Sequence, residues 1–267
     1  MNRPPAAGRC TLVGAGPGDP ELLTLKALKA IQAATMLLVD DLVSDAIVAL
    51  APAGARIVRV GKRGGCRSTP QAFIERLMVR AARAGEQVVR LKGGDPFIFG
   101  RGGEEVEQLR AAGIEVQVIN GITAGLAGMT LLGMPLTHRT HAHGVLFVTG
   151  HNRPGDTAPD WRQLAATARD ARLTLVIYMG MAGCADIQHG LLLGLPAHTP
   201  AVVIQHVSLP QQRHARTTLG ALHDTIEREG LGSPAVIVIG DVVSGVAAVL
   251  ERPADTTLPP QISAAIA

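Results

Sequence analysis

Aromatic side chains are scarce in this sequence: one Trp, one Tyr and four Phe among 267 residues. Apolar residues still make up 47% of the chain, so its cores are built from Leu, Val, Ile and Ala. That composition suits strands buried on both faces between helices. Cysteine is also sparse. Cys10, Cys66 and Cys184 are far apart, odd in number and without Cys-x-x-Cys spacing, which argues against a disulfide framework or a structural zinc site. Charge of neither sign dominates: 25 Lys and Arg face 22 Asp and Glu. No basic block or aromatic-interleaved basic stripe is present, so no nucleic-acid partner is expected. No uninterrupted apolar run reaches the ~20 residues of a membrane span, so no membrane partner is expected either. Met1-Asn2-Arg3 leads into prolines rather than an apolar segment. No secretory leader is visible, and a reduced, cytoplasmic setting is the expectation. No internal repeat is evident.

What is present is glycine, in loops. Gly93-Gly94-Asp95-Pro96-Phe97-Ile98-Phe99-Gly100-Arg101-Gly102-Gly103-Glu104-Glu105 follows an apolar strand and precedes a helix over 104–112. The loop therefore stands at the carboxyl end of a strand, where open α/β sheets place ligands. Gly93 and Gly94 let backbone approach a ligand closely. Arg101 stands just ahead of the helix, and Glu104 and Glu105 occupy its first turn, where carboxylates suit the dipole.

A second loop, Gly14-Ala15-Gly16-Pro17-Gly18-Asp19-Pro20, follows the first strand. Its spacing is Gly-x-Gly-x-Gly, not the Gly-x-Gly-x-x-Gly of a dinucleotide loop. Pro17 also removes an N–H from a loop whose usual task is to donate N–H groups to phosphate. Asp40 lies where a ribose-binding acid would stand, so nicotinamide binding remains a reading of this loop.

The pattern along the chain is α/β throughout. Strands are expected at 9–14, 35–40, 55–60, 86–91 and 114–119, with helices between them, giving a mostly parallel sheet. Thr24 is the expected cap of a helix carrying Leu25, Leu28 and Ile31 on its apolar face. Pro70 opens another helix, with Phe73, Leu77, Val79, Ala81 and Ala82 inward. The pattern breaks at 133–141. Strands resume at 144–149, 173–178, 201–206, 216–219 and 235–239, the fourth of them with antiparallel pairing. Helices fall near 161–168, 183–193 and 219–229. The expected organisation is a flexible tail at 1–8, an N-terminal α/β lobe at 9–137, a C-terminal α/β lobe at 138–250 and a flexible tail at 251–267. A ligand cleft lies between the lobes.

The loops carry a resemblance. The run from Leu12 through Gly14-Ala15-Gly16-Pro17-Gly18-Asp19-Pro20 to Ala27 is similar to the opening of the tetrapyrrole methylases. Gly61-Lys62-Arg63, the 93–105 stretch, Gly121-Ile122-Thr123-Ala124, Pro135-Leu136-Thr137-His138-Arg139, Tyr178-Met179-Gly180 and Pro234-Ala235-Val236 continue it in order. Within the family, the set most resembles members that methylate uroporphyrinogen III.

The resemblance implies S-adenosyl-L-methionine (SAM) as cofactor and two methylations, at C2 and C7, giving precorrin-2 and two S-adenosyl-L-homocysteine. It implies Pro17, Gly93, Gly94, Asp95, Ile98, Thr123, Ala124, Met179, Val207 and Ala235 around the cofactor, with Asp95 bonded to its ribose or amino-acid portion. The substrate is a flexible macrocycle with carboxylates around its rim, and arginine forks suit it. Arg101 and Arg139, then Lys62 and Arg63, with Met179, are the implied contacts. Arg101, Glu104 and Asp40 are the catalytic candidates, and Glu104 or Asp40 could receive the proton that leaves after methyl attack, as could a carboxylate of the macrocycle itself. A homodimer is expected. No metal is expected: His138, His141, His143 and His151 lack the helical Glu of a metalloprotease motif. No dehydrogenase–chelatase segment is expected beside the methylase, and sirohaem, cobalamin and haem d1 all remain open as destinations of the product.

The sequence also departs from the family. Val39-Asp40-Asp41 stands where Tyr-Asp-Arg is expected, and Gln205-His206-Val207-Ser208 where Glu-Asn-Ala/Gly-Thr is common. Cys66 replaces a polar residue. Rival readings are a later corrin-ring methylase, a nicotinamide oxidoreductase and a tetrapyrrole carrier.

Overall fold

The computed structural model describes residues 9–61, 70–151 and 159–245. The two expected tails lie outside the described residues.

Arg9–Gly14 (β1), Met36–Val39 (β2), Arg56–Arg59 (β3), Gln87–Lys92 (β4) and Glu115–Ile119 (β5) form one sheet, in the order β3-β2-β4-β1-β5. Every pairing in it is parallel. Its central strands read as near-continuous apolar runs because both faces are covered. Leu25–Gln32 (α1) and Asp45–Val48 (α2) pack over Val13, Leu37, Val39 and Leu91. Gln71–Arg83 (α3) and Gly102–Ala111 (α4) pack over Cys10, Leu12, Leu38 and Val88. α1 and α4 thus leave β1 and β4 toward opposite faces. The gap between these neighbouring strand ends is a topological switch point, where ligands bind in such sheets.

Ala124–Leu131 (α5) leads to the second sheet, formed by Gly144–Thr149 (β6), Leu173–Tyr178 (β7), Pro200–Gln205 (β8), Arg213–Thr218 (β9) and Ala235–Ile239 (β10). Its order is β6-β7-β10-β8-β9. β6 runs parallel to β7, whereas β10 is antiparallel to both β7 and β8, and β8 to β9. Trp161–Asp170 (α6), Cys184–Leu192 (α7) and Leu222–Arg228 (α8) cover one face. On the other face α5 packs against β7 and β10. Gly125 permits that approach, since a Cβ there would stand 2.5 Å from Val176 Cγ1. The boundary expected at 137/138 would fall between α5 and β6, whereas α5 packs against the second sheet.

Two expected helix faces need correction. Thr24 does cap α1, accepting from Ala27 N at 3.1 Å, but Leu25 is exposed and the buried residues are Ala27 and Ile31. In α3 Phe73 is exposed, and Ile74, Met78, Ala81 and Ala82 face inward at helical spacing. β9 begins three residues earlier than expected and is antiparallel. Its sequence, Arg-His-Ala-Arg-Thr-Thr, has almost no apolar signal because it is a largely exposed edge strand.

Candidate active site

Three loops meet at the switch point. Gly16 N donates to Gly94 O at 3.1 Å, and Gly94 N returns the bond to Gly16 O at 2.7 Å. This short bridge joins the β1 and β4 loops outside the sheet. A Cβ on Gly14 would strike the backbone of Gly121 and come within 2.7 Å of Gly94 O, so the β5 loop is wedged against both. Gly94 adopts φ +66°, a left-handed conformation natural to glycine.

Asp95 ties these loops together from below. It is buried; its Oδ1 accepts from Phe97 N at 2.8 Å, and its Oδ2 from Gly121 N at 3.1 Å and Asn120 Nδ2 at 3.4 Å. Its oxygens serve the loops, and it stands behind Gly93 and Gly94, which line the cavity.

The cavity above the loops has a volume of ≈ 540 Å3 and opens between the two sheets. Of the residues expected around a cofactor, Pro17, Gly93, Gly94, Ile98, Thr123, Ala124, Met179, Val207 and Ala235 all line it. They come from both lobes and from six separate stretches of chain. Met179 is no core residue: it is half exposed and held at φ +53°. The departure at 205–208 lies here too. Ser208 accepts from Asp19 N at 3.0 Å, which joins the β1 loop to the second lobe.

Tyr178 was not singled out from the sequence as a contact. Its hydroxyl lies 2.8 Å from Thr123 Oγ1 and accepts from Gly125 N at 2.9 Å. Its ring meets Phe99 in a tilted contact at 5.1 Å and Phe147 edge to face at 6.0 Å. Half of this aromatic-poor chain's six aromatic residues gather at this one junction. Burial pushes the Tyr178 hydroxyl above the usual tyrosine value, against the bonds from Thr123 and Gly125.

Beneath the cavity lies a buried ionic cluster. Glu105 is fully buried, and its Oε1 accepts from Arg90 Nε at 3.1 Å, Lys92 Nζ at 3.3 Å and Gln71 Nε2 at 3.1 Å. Arg90 Nη2 reaches Asp40 Oδ2 at 3.3 Å. Asp40 and Lys92 line the cavity, while Arg90 and Glu105 stand behind them. Burial, then the neighbouring Arg90, pull the Lys92 ammonium below the usual lysine value, although Glu105 and Asp40 oppose this. Glu105 does stand in the first turn of α4, as expected, but buried against Arg90 and Lys92. The signal in the sequence was Arg90-Leu91-Lys92: two cations on one face of an otherwise apolar strand need buried partners.

Among the described residues, Arg101, Glu104 and Arg139 lie outside the lining. Arg101 caps α4 in a left-handed conformation, φ +57°, and forks onto Glu104, with Nε 3.0 Å from Glu104 Oε1. Both side chains are about half exposed. Arg139 is exposed beside the His138–Ala142 bridge. Lys62 and Arg63 lie outside the described residues. The rings of His138 and His141 stack at 4.7 Å.

A sheet-switch cleft of this kind, shared by a parallel and a mixed lobe, places the chain in a defined class. It belongs to the tetrapyrrole (corrin/porphyrin) methylases, whose family profile matches residues 9–223. The chain is similar to the uroporphyrinogen-III C-methyltransferase of Pseudomonas aeruginosa, with 54% identity over 88% of this chain and 94% of that one. Among solved structures, it resembles the uroporphyrin-III C-methyltransferase of Thermus thermophilus complexed with S-adenyl homocysteine. That match has 42% identity and a TM-score of 0.74, and covers 89% of this chain and 99% of that one. A cobalt precorrin-4 methyltransferase superposes with a TM-score of 0.77 at 26% identity, over 88% and 95% of the two chains.

Proposed function

We propose that this chain methylates uroporphyrinogen III at C2 and then C7, using SAM, to give precorrin-2 and two S-adenosyl-L-homocysteine. The observation that carries the reading is the convergence of Pro17, Gly93, Gly94, Ile98, Thr123, Ala124, Met179, Val207 and Ala235 on one cavity. Similarity to uroporphyrinogen-III methyltransferases over nearly the whole chain supports the choice of substrate.

The cavity fits SAM. Its volume, ≈ 540 Å3, lies in the range of ~300–1,000 Å3 usual for cofactor-sized ligands. Gly94 and Gly93 present bare backbone to it, and SAM carries no phosphate for which Pro17 would lack an N–H. SAM supplies an activated methyl group on a sulfonium. An electron-rich pyrrole carbon needs no strong base to attack it, so the protein's work is alignment and exclusion of water. The loops at 14–18, 93–98 and 121–124 hold one side of the cleft. Met179, Val207 and Ala235 hold the other. Asp95 acts on the cofactor only through the loops it clips.

Asp40 receives the proton released after attack. It lines the cavity and its side chain is 37% exposed, whereas Glu104 is engaged by Arg101 outside the lining. Arg101 and Arg139, with Lys62 and Arg63, meet the carboxylates of a macrocycle larger than the cavity itself. The protein works as a cytoplasmic homodimer. Light scattering at micromolar concentration tests the dimer.

The reading predicts that anaerobic mixing of the protein with uroporphyrinogen III and SAM generates the precorrin-2 chromophore. Calorimetry should show binding of S-adenosyl-L-homocysteine and none of NAD. The reverse preference would overturn it.

A further inference from the structure

We infer that Lys92 is a positioning residue for methyl transfer: with Arg90, and braced by buried Glu105, it fixes the Asp40 carboxylate at the cavity wall. The inference rests on the methyltransferase reading above and on the role given there to Asp40.

Both oxygens of Asp40 are held. Oδ1 accepts from Asp41 N at 3.1 Å. Oδ2 lies 3.3 Å from Arg90 Nη2 and 3.9 Å from Lys92 Nζ. Arg90 is itself pinned, with Nη1 reaching Leu38 O at 3.5 Å and Leu91 O at 3.4 Å, and Nε reaching Glu105. Lys92 ends β4, two residues beyond Arg90 and on the same face of the strand. Its side chain is 3% exposed, and among the described residues its ionic partners are Glu105 and Asp40.

This cluster is a costly way to hold a fold together. Desolvating two cations and a carboxylate often outweighs their attraction, and well-packed apolar side chains are frequently as good or better. Glu105 Oε2 is moreover buried with no hydrogen-bond partner among the described residues, a further cost. Lys92 and Asp40 are the members of the cluster that line the cavity, among the described residues. An arrangement that is expensive in the core and surfaces at the reaction chamber is explained by what it orients. Glu105 balances the charge of Lys92 and Arg90 from behind, and Asp40 is the other carboxylate they reach.

The test is a double-mutant cycle on the full chain, with Lys92→Met, Asp40→Asn and the pair. Lys92→Met keeps most of the side-chain volume and removes the charge. Expected is a fall in kcat of about 10- to 100-fold, the scale of misplaced reacting groups. KM for SAM and affinity for S-adenosyl-L-homocysteine should stay within about twofold, because the glycine loops are untouched. Added to Asp40→Asn, Lys92→Met should cost less than about twofold more, since it acts through Asp40. Glu105→Gln, which preserves shape, should give the same split between kcat and KM, and replaces Lys92→Met in the cycle if that variant does not fold. Wild-type kcat in these variants, or losses that multiply with that of Asp40→Asn, would overturn the inference while leaving the methyltransferase reading intact. Absence of turnover in the wild type would overturn both.

Discussion

The hydroxyl of Tyr178 stands 2.8 Å from Thr123 Oγ1, so the end of β7 in the second sheet is bonded to the start of α5, which the first lobe delivers. Thr123 is the N-cap residue of α5, yet its side chain makes no cap bond to the helix. Tyr178 does that work instead by accepting from Gly125 N at 2.9 Å.

Tyr178→Phe keeps the ring contacts with Phe99 and Phe147 but leaves Gly125 N and Thr123 Oγ1 without this partner. The expected loss is about 1–3 kcal/mol of stability, the cost of stranding such groups. Urea denaturation should show a lower midpoint with an unchanged slope. An unshifted midpoint would mean that water replaces the hydroxyl.

Asp95→Ala removes the acceptor for Phe97 N, Gly121 N and Asn120 Nδ2 at once. Affinity for S-adenosyl-L-homocysteine should fall by at least about tenfold, together with about 2 kcal/mol or more of stability. If Asp95 instead bonded the ligand directly, affinity would fall with stability preserved. Calorimetry and denaturation on one sample separate these outcomes.

Arg101→Lys keeps the charge and loses the fork that now holds Glu104. Lysine cannot reproduce a bidentate carboxylate clamp. Methyl transfer should drop by about 100-fold with cofactor affinity nearly unchanged. Near-normal turnover in a precorrin-2 assay would leave Arg101 a surface partner of Glu104.

Cys10 gives a signed pH dependence. Burial, with Glu105 adding to it, pushes its thiol from 9.0 up to about 12. The folded thiol therefore keeps a proton that the unfolded one loses. Its contribution is full below pH 9 and is lost as pH rises toward 12, at about 1.4 kcal/mol per pH unit. The stability difference between wild type and Cys10→Ala, measured in urea with reductant, should shrink from pH 9 to pH 11. A constant difference would contradict the burial of this thiol.

Much of the architecture was legible because buried strands read as apolar runs. β1, β6, β7 and β10 match their expected limits residue for residue. β9 was displaced because an exposed edge strand needs no apolar residues. The cavity lining was legible through motifs whose glycines and Met179 take backbone conformations that few residues tolerate. Partners were not legible. Asp95 looked like a ligand-binding acid, but only the fold shows that its oxygens face Phe97 and Gly121. Glu104 and Glu105 are adjacent and identical in type, yet α4 turns one to solvent and the other onto Arg90 and Lys92. A helix rotates ~100° per residue, so neighbours meet opposite environments.

The most direct test of the whole account is a count of methyl groups. The protein is incubated without oxygen with uroporphyrinogen III and SAM labelled at the methyl carbon, and the tetrapyrrole product is weighed by mass spectrometry. The account predicts two labelled methyl groups on each macrocycle at completion and two S-adenosyl-L-homocysteine released per product. A macrocycle that leaves unlabelled, or that stops at one label with SAM in excess, would contradict it.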